Sequence, residues 1–498
     1  MGSVDGDLLY TAQEQNLFLH TPLFFRQQMV VSGGLLTWVG CYLTQYFYYP
    51  VLGAVLLGLL WALLLWLLRH AFRLDSTWPG LVPVACLMLT VGTLGYWVYY
   101  LKLGGALFAA TVGTVVAVAM VWAYRSLPRR WWLRSLFIPL AASVGYPLFG
   151  FYGLWGVLMM GLTAWRTDGR TVHHVADSLL AVVAVVTVPL VCYYTVYHET
   201  HLAGIYWTAL PVFAMHGHSY PAYYLPYVFL VLTVILLALH PSPKSLHPSP
   251  KSLHPSPFTL HHIPVIVAAA AVIAFWYKDG NFHRELAMRR CIDTQQWERL
   301  LETARRAKGE PTRAMCLMQN LALFRLGRSG TDAFLYPQGA RRPDAPFSVR
   351  TVHTVGKVLY LHYGIPNYCY RWCMEDGVEY GWTVEKLKLM TLCALINGEP
   401  VAAQRFINLL KKTDFNDAWA RRYEEYPYRP QLVVDDPGLS PILPLLRSDD
   451  FLTADQSQQE LFLFEHFLST AGENAEQQRL TRFASTYYRR NRQPLIEP

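Results

Sequence analysis

The stretch LFIPLAASVGYPLFGFYGLWGVLMMGLTAW (136–165) decides how many times this chain can cross a membrane. It is almost entirely apolar, and the turn-forming segment GYPLFGFYG (145–153) lies at its middle. One transmembrane helix needs roughly 17–25 apolar residues. The stretch therefore fits either two short helices joined at this turn or one long tilted helix. Two helices would give the chain eight spans, and one would give it seven.

Six other apolar runs each have the length of one span. They are 51–68, 81–100, 104–124, 176–196, 221–239 and 263–277. Together with the central stretch, these runs predict an all-α polytopic transmembrane helix bundle of about eight spans.

Lysine and arginine are concentrated in alternate connections between these runs. The basic connections are RHAFR (69–73), RSLPRRWWLR (125–134), RTDGR (166–170) and the linker that carries Lys244 and Lys251. The intervening connections, 99–105, 145–153 and 197–220, are almost free of positive charge. Basic connections stay on the cytoplasmic side of a membrane. Eight spans satisfy this rule at every connection, whereas seven leave one basic loop on the wrong side, so the charges favour eight spans with both termini outside the cytoplasm.

The composition separates a membrane part from a soluble tail. The chain is 53% hydrophobic and 15% charged, whereas an average soluble domain has roughly 25% charged residues. Residues 1–280 hold only 13 of the 42 Lys and Arg and 8 of the 34 Asp and Glu. The charges of residues 281–498 are nearly balanced and interspersed, without the basic stripe typical of nucleic-acid binding. We therefore expect the lipid bilayer as a partner and no nucleic acid.

These features predict five consecutive regions. They are an external amphipathic segment (1–50), the transmembrane bundle (51–239), a disordered cytoplasmic linker (240–262), the last transmembrane helix (263–280) and an extracytoplasmic helical-repeat domain (281–498). The linker repeats HPSPKSL, whose two prolines oppose both helix and sheet. The start MGSVDGDLLY has no signal sequence, so we expect either a further span upstream or an unusual route for the N-terminal segment across the membrane.

The tail is predicted to be a tetratricopeptide-like α-solenoid. In WTVEKLKLMTLCALINGEPVAAQRFINLLKKT (382–413), we expect the first helix to end at Asn397-Gly398 and Pro400 to lie in the first turn of the second. Two helices with small residues at their contact match one repeat of about 34 residues. The helix predicted in 294–309 has Asp293 or Thr294 available as its N-cap. Further helices are expected at 310–330, 346–363, 366–376, 456–471 and 474–490.

Two features of the tail leave alternatives open. Cys369 and Cys373 share one face of a helix, either as buried thiols or as a strained disulfide or metal pair. The aromatic stretch YLHYGIPNYCYRW (360–372) is either packed solenoid core or a binding groove on the concave surface of the repeats.

Several segments resemble an uncharacterised family of polytopic inner-membrane proteins of Bacteroides-type bacteria. They are EQNLFLHTPLFF (14–25), GGLLTWVGCYLTQYFYYPVLGAVLLGLL (33–60), GYPLFGFYGLWGVLM (145–159) and LCALINGEPVAAQRFINLLKKT (392–413). The resemblance covers most of the chain and implies a multi-pass protein of the bacterial inner membrane with a periplasmic C-terminal domain. It supplies no assigned chemistry.

The chain also resembles, more loosely, the membrane glycosyltransferases of the GT-C class, which use lipid-linked sugar donors. That resemblance implies a catalytic carboxylate in the first external loop, followed by amphipathic helices along the membrane. Glu14 and the run 22–50 occupy the equivalent places. The chain departs from the class because it has no clear Asp-Asp or Asp-Glu pair beside Glu14 and no WWDYG-like motif in its tail.

Glu14 is the first candidate for a catalytic residue, because glycosyl transfer needs a carboxylate that takes the acceptor's proton. Its alternative role is that of a polar residue on an interfacial amphipathic helix. Arg26 is the candidate contact for a lipid phosphate, although an arginine near a membrane surface also snorkels to the interface without binding a ligand.

The loop YHETH (197–201) supplies the second set of candidates. His198, Glu199 and His201 can shuttle protons or bind a metal, and His216 and His218 lie at the other end of the same loop. The spacing HExH is not the HExxH of zinc proteases, so a protease is disfavoured. A hydrated interfacial loop is the alternative. The identity of any metal or cofactor remains unknown from the sequence.

Two functions from different classes are consistent with these observations. The first is a GT-C-like glycosyltransferase that moves sugar from a polyprenyl phosphate to an acceptor outside the cytoplasm. The second is a non-enzymatic envelope scaffold whose helical repeats recruit a protein partner to the membrane. A transporter is disfavoured, because the spans carry almost no ionisable residues at mid-membrane.

Overall fold

The computed structural model describes residues 5–128, 130–165, 172–198, 200–215, 217–239, 263–328, 332, 335–337, 339 and 341–446. Most of these residues are helical, and one short antiparallel pair of strands, β1 (Ala214–Met215) and β2 (His218–Ser219), lies among them. The all-α fold class is therefore confirmed. The linker 240–262 and the helices expected at 456–471 and 474–490 lie outside the described residues.

The α-helices of the N-terminal and apolar part are numbered in chain order. They are α1 (Gly6–Glu14), α2 (Pro22–Gln28), α3 (Gly34–Thr44), α4 (Pro50–Phe72), α5 (Leu81–Gly92), α6 (Ala106–Ser126), α7 (Trp131–Phe149), α8 (Phe151–Trp165), α9 (Val172–Thr195), α10 (Leu225–Leu239) and α11 (Ile263–Phe275).

The α-helices of the C-terminal part continue this numbering. They are α12 (Gly280–Asp293), α13 (Trp297–Arg305), α14 (Arg313–Arg325), α15 (Lys357–His362), α16 (Pro366–Tyr380), α17 (Val384–Ile396), α18 (Pro400–Leu410), α19 (Asp417–Arg422) and α20 (Gln431–Asp435).

Several helices are long and apolar enough to cross a membrane. Within the described residues they are Pro50–Phe72, Ala106–Ser126, Val172–Thr195 and Pro221–Leu239. A fifth is obtained if α11 and α12 count as one span, although the two are bent by 64°. We treat α12 as extramembrane because it is polar overall and packs on α13 and α14. The apolar segments Trp78–Gly92 and Phe151–Trp165 are shorter.

The central apolar stretch is broken into two helices at Gly150. This residue lies between α7 and α8 with φ of +56°, a backbone conformation that favours glycine. The two helices pack on each other, and a Cβ on Gly153 would lie 2.2 Å from the carbonyl oxygen of Gly145. The stretch therefore divides into two helices at the predicted Gly/Pro/aromatic turn, and Gly145 and Gly153 allow the two helices to approach closely.

The apolar run 81–100 does not form one long helix. α5 ends at Gly92, and the chain turns at Gly95, whose φ is +48°. A 3-10 turn follows at Gly95–Tyr99, and Tyr96 and Trp97 in it are almost completely buried. The helix is shorter than the hydropathy of this run suggests, because its aromatic end packs in a different part of the protein.

The chain forms two compact units, and each is built from separate segments. The tail unit comprises residues 1–19, 95–102 and 278–498, as far as they are described, and the membrane unit comprises residues 20–94 and 103–277. The segment 1–50 is thus divided, since α1 belongs to the tail unit and α2 and α3 belong to the membrane unit.

The tail unit has one large apolar core along α12 to α18. α17 ends at Ile396, Gly398 adopts φ of +70° and Pro400 begins α18, so the predicted helix–turn–helix is confirmed. The predicted N-cap of α13 is wrong. Asp293 is the last residue of α12, where it pairs with Arg289, and Gln296 precedes α13.

The aromatic and cysteine-rich part of the tail lies in this core. Tyr360, Tyr368 and Trp372 are each no more than 6% exposed, which matches packed core and not an open groove. Cys369 and Cys373 on α16 are buried free thiols, which is the first of the two alternatives that the sequence left open.

Candidate functional site

Glu14 is the last residue of α1, and its carboxylate forms an ion pair inside the tail unit. Its Oε1 lies 2.8 Å from Nζ of Lys388 on α17, and the two side chains are only 10% and 16% exposed. Burial raises the pKa of Glu14, and the positive charge of Lys388 opposes that rise. Glu14 therefore has an internal partner of opposite charge.

The other predicted site residues belong to the membrane unit. Arg26 on α2 is exposed, and so are His198 and His201 in the connection that follows α9. Glu199 and His216 lie outside the described residues. Within the part of the chain that the structure describes, no three or more His, Cys, Asp or Glu side chains are grouped so as to hold a metal ion.

The end of α1 is joined to α17 by further hydrogen bonds. The Gln15 side chain donates to the Glu385 carboxylate, and the Val384 backbone NH donates to the Asn16 carbonyl over 3.1 Å. At the other end of α1, Asp7 pairs with Arg290 over 3.0 Å, with both side chains more than a third exposed. The interior contacts, and not the surface ion pair, fix this helix.

Arg289 on α12 joins two carboxylates. Its guanidinium donates to Glu385 over 2.7 Å and also to Asp293, one helical turn away. Burial raises the pKa of Glu385, but Arg289 and Lys357 outweigh burial, so the net pKa lies below its ordinary value. Glu385 is therefore an ionised carboxylate held in the interior by positive charges.

A second interior cluster surrounds Asp376 on α16. Its Oδ2 lies 2.6 Å from Nζ of Lys357, and its Oδ1 lies 2.9 Å from Nδ1 of His353. The Lys357 ammonium also donates to the Val352 and His353 carbonyls. Burial raises the pKa of Asp376, but Lys357 and His353 outweigh it and leave the pKa well below the ordinary range.

The local backbone explains how His353 and Lys357 meet the same carboxylate. Val352–Gly356 forms a π-helical turn ahead of α15, and such turns often occur at functional sites. The His353 ring meets the rings of Tyr100, Tyr380 and Trp372 edge-on, at centroid distances of 5.3, 5.5 and 6.0 Å. The imidazole is thus held by one carboxylate and enclosed by aromatic rings.

Lys386 lies close to both clusters. It is buried, and its ammonium donates to the Gly381 carbonyl over 2.8 Å. Burial and the charge of Lys357 lower the pKa of Lys386 to about 8. We call the following eight ionisable side chains the charge network. Its carboxylates are Glu14, Asp293, Asp376 and Glu385, and its cations are Arg289, Lys357, Lys386 and Lys388.

Residues 95–102 bring tyrosine hydroxyls into the tail unit. Tyr96 donates to Glu285 on α12 over 2.9 Å, and Thr312 donates to the same carboxylate. Burial raises the pKa of Glu285 to about 7. Tyr100 accepts a hydrogen bond from the Arg350 backbone NH over 3.1 Å. This segment contributes polar as well as aromatic contacts to the interior.

The sequence matches one protein family over nearly its whole length. A model described as "Family of unknown function (DUF6057)" matches residues 3–481. The chain belongs to the DUF6057 family. Neither the curated proteins nor the solved structures gave a significant match. The expected membership of an uncharacterised family is confirmed, and the match covers α1, the apolar helices and the described tail of this DUF6057 chain.

The geometry indicates that the charge network of this DUF6057 protein has a structural role. Its four carboxylates and four cations balance, and each carboxylate has a cation within hydrogen-bond distance. Removing one partner from a buried pair leaves an uncompensated charge, which is strongly unfavourable. The network therefore holds α1, α12, α16 and α17 in one arrangement.

Sequence reasoning identified Glu14 but missed the other members of the charge network. Lys388 is 374 positions away along the chain, and Lys357 and Asp376 lie on helices that read as ordinary amphipathic segments. One usable signal was the run GYWVYYLK (95–102), in which tyrosines and a lysine interrupt an otherwise apolar stretch.

Proposed function

We propose that this DUF6057 protein is an eight-span protein of the bacterial inner membrane whose tail unit lies in the periplasm. The alternating basic connections favour this orientation. The way the tail unit is assembled supports the even number of spans. Residues 1–19, 95–102 and 278 onward belong to one compact unit, so all three must lie on the same side of a membrane.

The same-side condition distinguishes eight spans from seven. Two apolar runs separate residue 19 from residue 95, which returns the chain to its starting side. Between residues 102 and 278, two helices in 136–165 give six crossings, whereas one long helix gives five and would put α12 opposite α1.

Reporter fusions after residues 102, 128 and 446 test the topology. The fusions after 102 and 446 should report the periplasm, and the fusion after 128 should report the cytoplasm. Opposite locations for 102 and 446 would refute it.

We propose that the protein acts as a membrane-anchored scaffold, with the tail unit as an irregular tetratricopeptide-like repeat that binds a protein partner. The observation that carries this proposal is the ion pair between Glu14 and Lys388. A general base must reach a proton on its substrate, whereas this carboxylate is occupied by an internal partner. The candidate catalytic group thus serves to hold the fold together.

An apolar stripe on the tail unit fits the binding of a protein partner. Met374 and Val378 lie one turn apart near the end of α16 and are 38% and 80% exposed, and Trp382, which follows the helix, is 40% exposed. The Trp382 ring lies against Gly377, where a Cβ would come within 2.8 Å of it. Exposed aromatic and apolar side chains grouped in this way are typical of interaction sites.

Site-specific crosslinking in cells tests the scaffold. A photoreactive amino acid at Val378 should give a discrete crosslinked product that disappears when Met374→Asp is added. The matched control places the same amino acid at Arg405, which is exposed on α18, and should give no such product. Equal crosslinking at both positions, or insensitivity to Met374→Asp, would argue against a partner on the stripe.

A GT-C-like glycosyltransferase that uses a polyprenyl-phosphate sugar is the second proposal. The raised pKa of Glu14 favours it, because a carboxylate whose pKa moves toward neutrality is a better general base. On this hypothesis Glu14→Gln abolishes envelope-glycan modification at unchanged protein level. Wild-type glycans in cells that carry Glu14→Gln would exclude Glu14 as the base.

A further inference from the structure

Three helix ends meet at one edge of the membrane unit. Arg125, in the last turn of α6, donates a hydrogen bond to the Ala71 carbonyl of α4. Arg134, in the first turn of α7, donates to the carbonyl of Leu127, directly after α6, over 3.3 Å. The end of α4, the end of α6 and the start of α7 therefore lie side by side. In the proposed topology this edge faces the cytoplasm.

Five arginines belong to this edge, and we call them the basic rim: Arg69, Arg73, Arg125, Arg130 and Arg134. Arg69, Arg73 and Arg130 are exposed, and none of the three forms an ion pair with a described residue. Helix electrostatics accounts for Arg69 in the last turn of α4, because a cation is favourable at a helix C-terminus. It does not account for Arg130, which precedes the first turn of α7, where no acidic side chain is present.

Two carboxylates occur in the described sequence around the rim, and they leave it positive. Asp177 on α9 is buried, and its oxygens accept hydrogen bonds from Tyr124 over 3.1 Å and from Ser135. Asp75, after α4, is exposed and forms no ion pair with a described residue. Five arginines against two carboxylates leave three positive charges, so this edge attracts an anion from outside the protein.

Tryptophan rings accompany the arginines and indicate the class of anion. Trp66, Trp122, Trp131 and Trp132 are all exposed, and the Trp66 and Trp122 rings meet at a centroid distance of 5.8 Å. Indole rings of membrane proteins are concentrated at the level of the lipid headgroups. The same edge thus offers guanidinium groups to a phosphate and indoles to the boundary between headgroup and acyl chain. This combination fits a phospholipid and not a soluble phosphate compound.

We propose that the basic rim binds the headgroups of anionic phospholipids and prefers them to zwitterionic ones. A guanidinium donates two parallel hydrogen bonds to phosphate oxygens, and the choline of a zwitterionic lipid offsets the charge of its own phosphate. Basic surfaces beside membrane-spanning helices bind anionic headgroups in this way. The assignment to the cytoplasmic leaflet rests on the proposed topology, whereas the surface itself rests on contacts within the membrane unit.

Photolabelling of the full-length protein in phosphatidylcholine nanodiscs tests this preference. The two probes are phosphatidylglycerol and phosphatidylcholine with the same diazirine at the top of one acyl chain, and labelled peptides are mapped by mass spectrometry. The phosphatidylglycerol probe should label residues 66–73 and 122–134 several-fold more strongly, and equal labelling by both probes would overturn the proposal. Both faces of a nanodisc carry the same lipids, so this result does not depend on orientation. A failed topology test would change the leaflet and not the preference.

Substitutions at exposed arginines localise the effect to the basic rim. Arg69→Gln combined with Arg130→Gln removes two charges, and each basic residue near an anionic membrane surface changes the affinity about fivefold. We expect the ratio of phosphatidylglycerol to phosphatidylcholine labelling to fall at least fivefold, toward equal labelling. The matched variant, Arg69→Lys with Arg130→Lys, keeps both charges and should retain most of the wild-type ratio. An unchanged ratio in the glutamine variant, or an equal loss in the lysine variant, would refute recognition by charge at the rim.

Discussion

Replacing Glu14 with glutamine should loosen α1 from the tail unit. The substitution leaves the Lys388 ammonium without a countercharge in a site where the two side chains are 10% and 16% exposed. Removing one partner of a buried ion pair costs about 3–5 kcal/mol. We expect the lower end, about 3 kcal/mol, because Lys388 retains some access to water.

Hydrogen exchange measured by mass spectrometry reports this loosening directly. The amides of α1 should exchange roughly a hundredfold faster, since each 1.4 kcal/mol corresponds to a factor of ten. Asp7→Asn is the matched control on the same helix. It breaks the ion pair with Arg290, whose side chains are 36% and 41% exposed, so it should cost no more than about 1 kcal/mol.

A charge swap separates a structural role of Glu14 from a catalytic one. Glu14→Lys combined with Lys388→Glu re-forms the ion pair in the opposite sense, so slow exchange in α1 should largely return. A catalytic role predicts the reverse: exchange unaffected by Glu14→Gln, glycan modification lost, and no recovery in the swapped protein. That second pattern would refute our reasoning about the network.

Three other substitutions probe different parts of the fold. In the folded protein, the pKa of Glu285 is raised to about 7. Its contribution to stability is therefore complete below pH 4.5 and is lost as the pH rises to about 7, which lowers the free energy of unfolding by about 3 kcal/mol. Glu285→Gln should abolish this pH dependence in thermal unfolding measured between pH 5 and 8. Asp376→Asn leaves Lys357 buried without a countercharge and should cost about 3–5 kcal/mol, and adding Lys357→Met should recover most of the lost unfolding temperature. Gly150→Ala places a Cβ at positive φ and 2.7 Å from the Thr208 carbonyl oxygen, so it should lower the free energy of unfolding by about 1–3 kcal/mol. The control is Gly58→Ala, whose Cβ meets no atom within 4 Å. It should leave the unfolding temperature unchanged or raise it.

The parts of the fold that local rules govern could be predicted from the sequence. The break in 136–165 and the turn before Pro400 each depend on glycine and proline within a few residues, and both were found. The N-cap of α13 was wrong because both candidates, Asp293 and Thr294, belong to the end of α12, where Asp293 pairs with Arg289; Gln296 precedes α13.

The candidate site was beyond local rules because its partners are far apart in the chain. An apolar run such as 81–100 looks the same whether it enters a bilayer or the core of a tail unit, and only the hydroxyls of Tyr96 and Tyr100 suggest the second. Likewise, nothing in the opening helix indicates that its last carboxylate will meet Lys388. Single-sequence patterns predict helices and faces, but not which distant faces meet.

The assembly of the tail unit from three separate segments has a consequence for how the protein is made. Residues 1–102 leave the ribosome before α17 has been synthesised, and at about 5–20 residues per second the delay to Lys388 is roughly 15–60 s. In the proposed topology, α1 and residues 95–102 stay on the periplasmic side of the membrane during this interval, while further helices are inserted. A chain that stops before α17 would expose these surfaces to chaperones and proteases. A tail produced without residues 1–102 would lack α1 and residues 95–102, which are part of the tail unit.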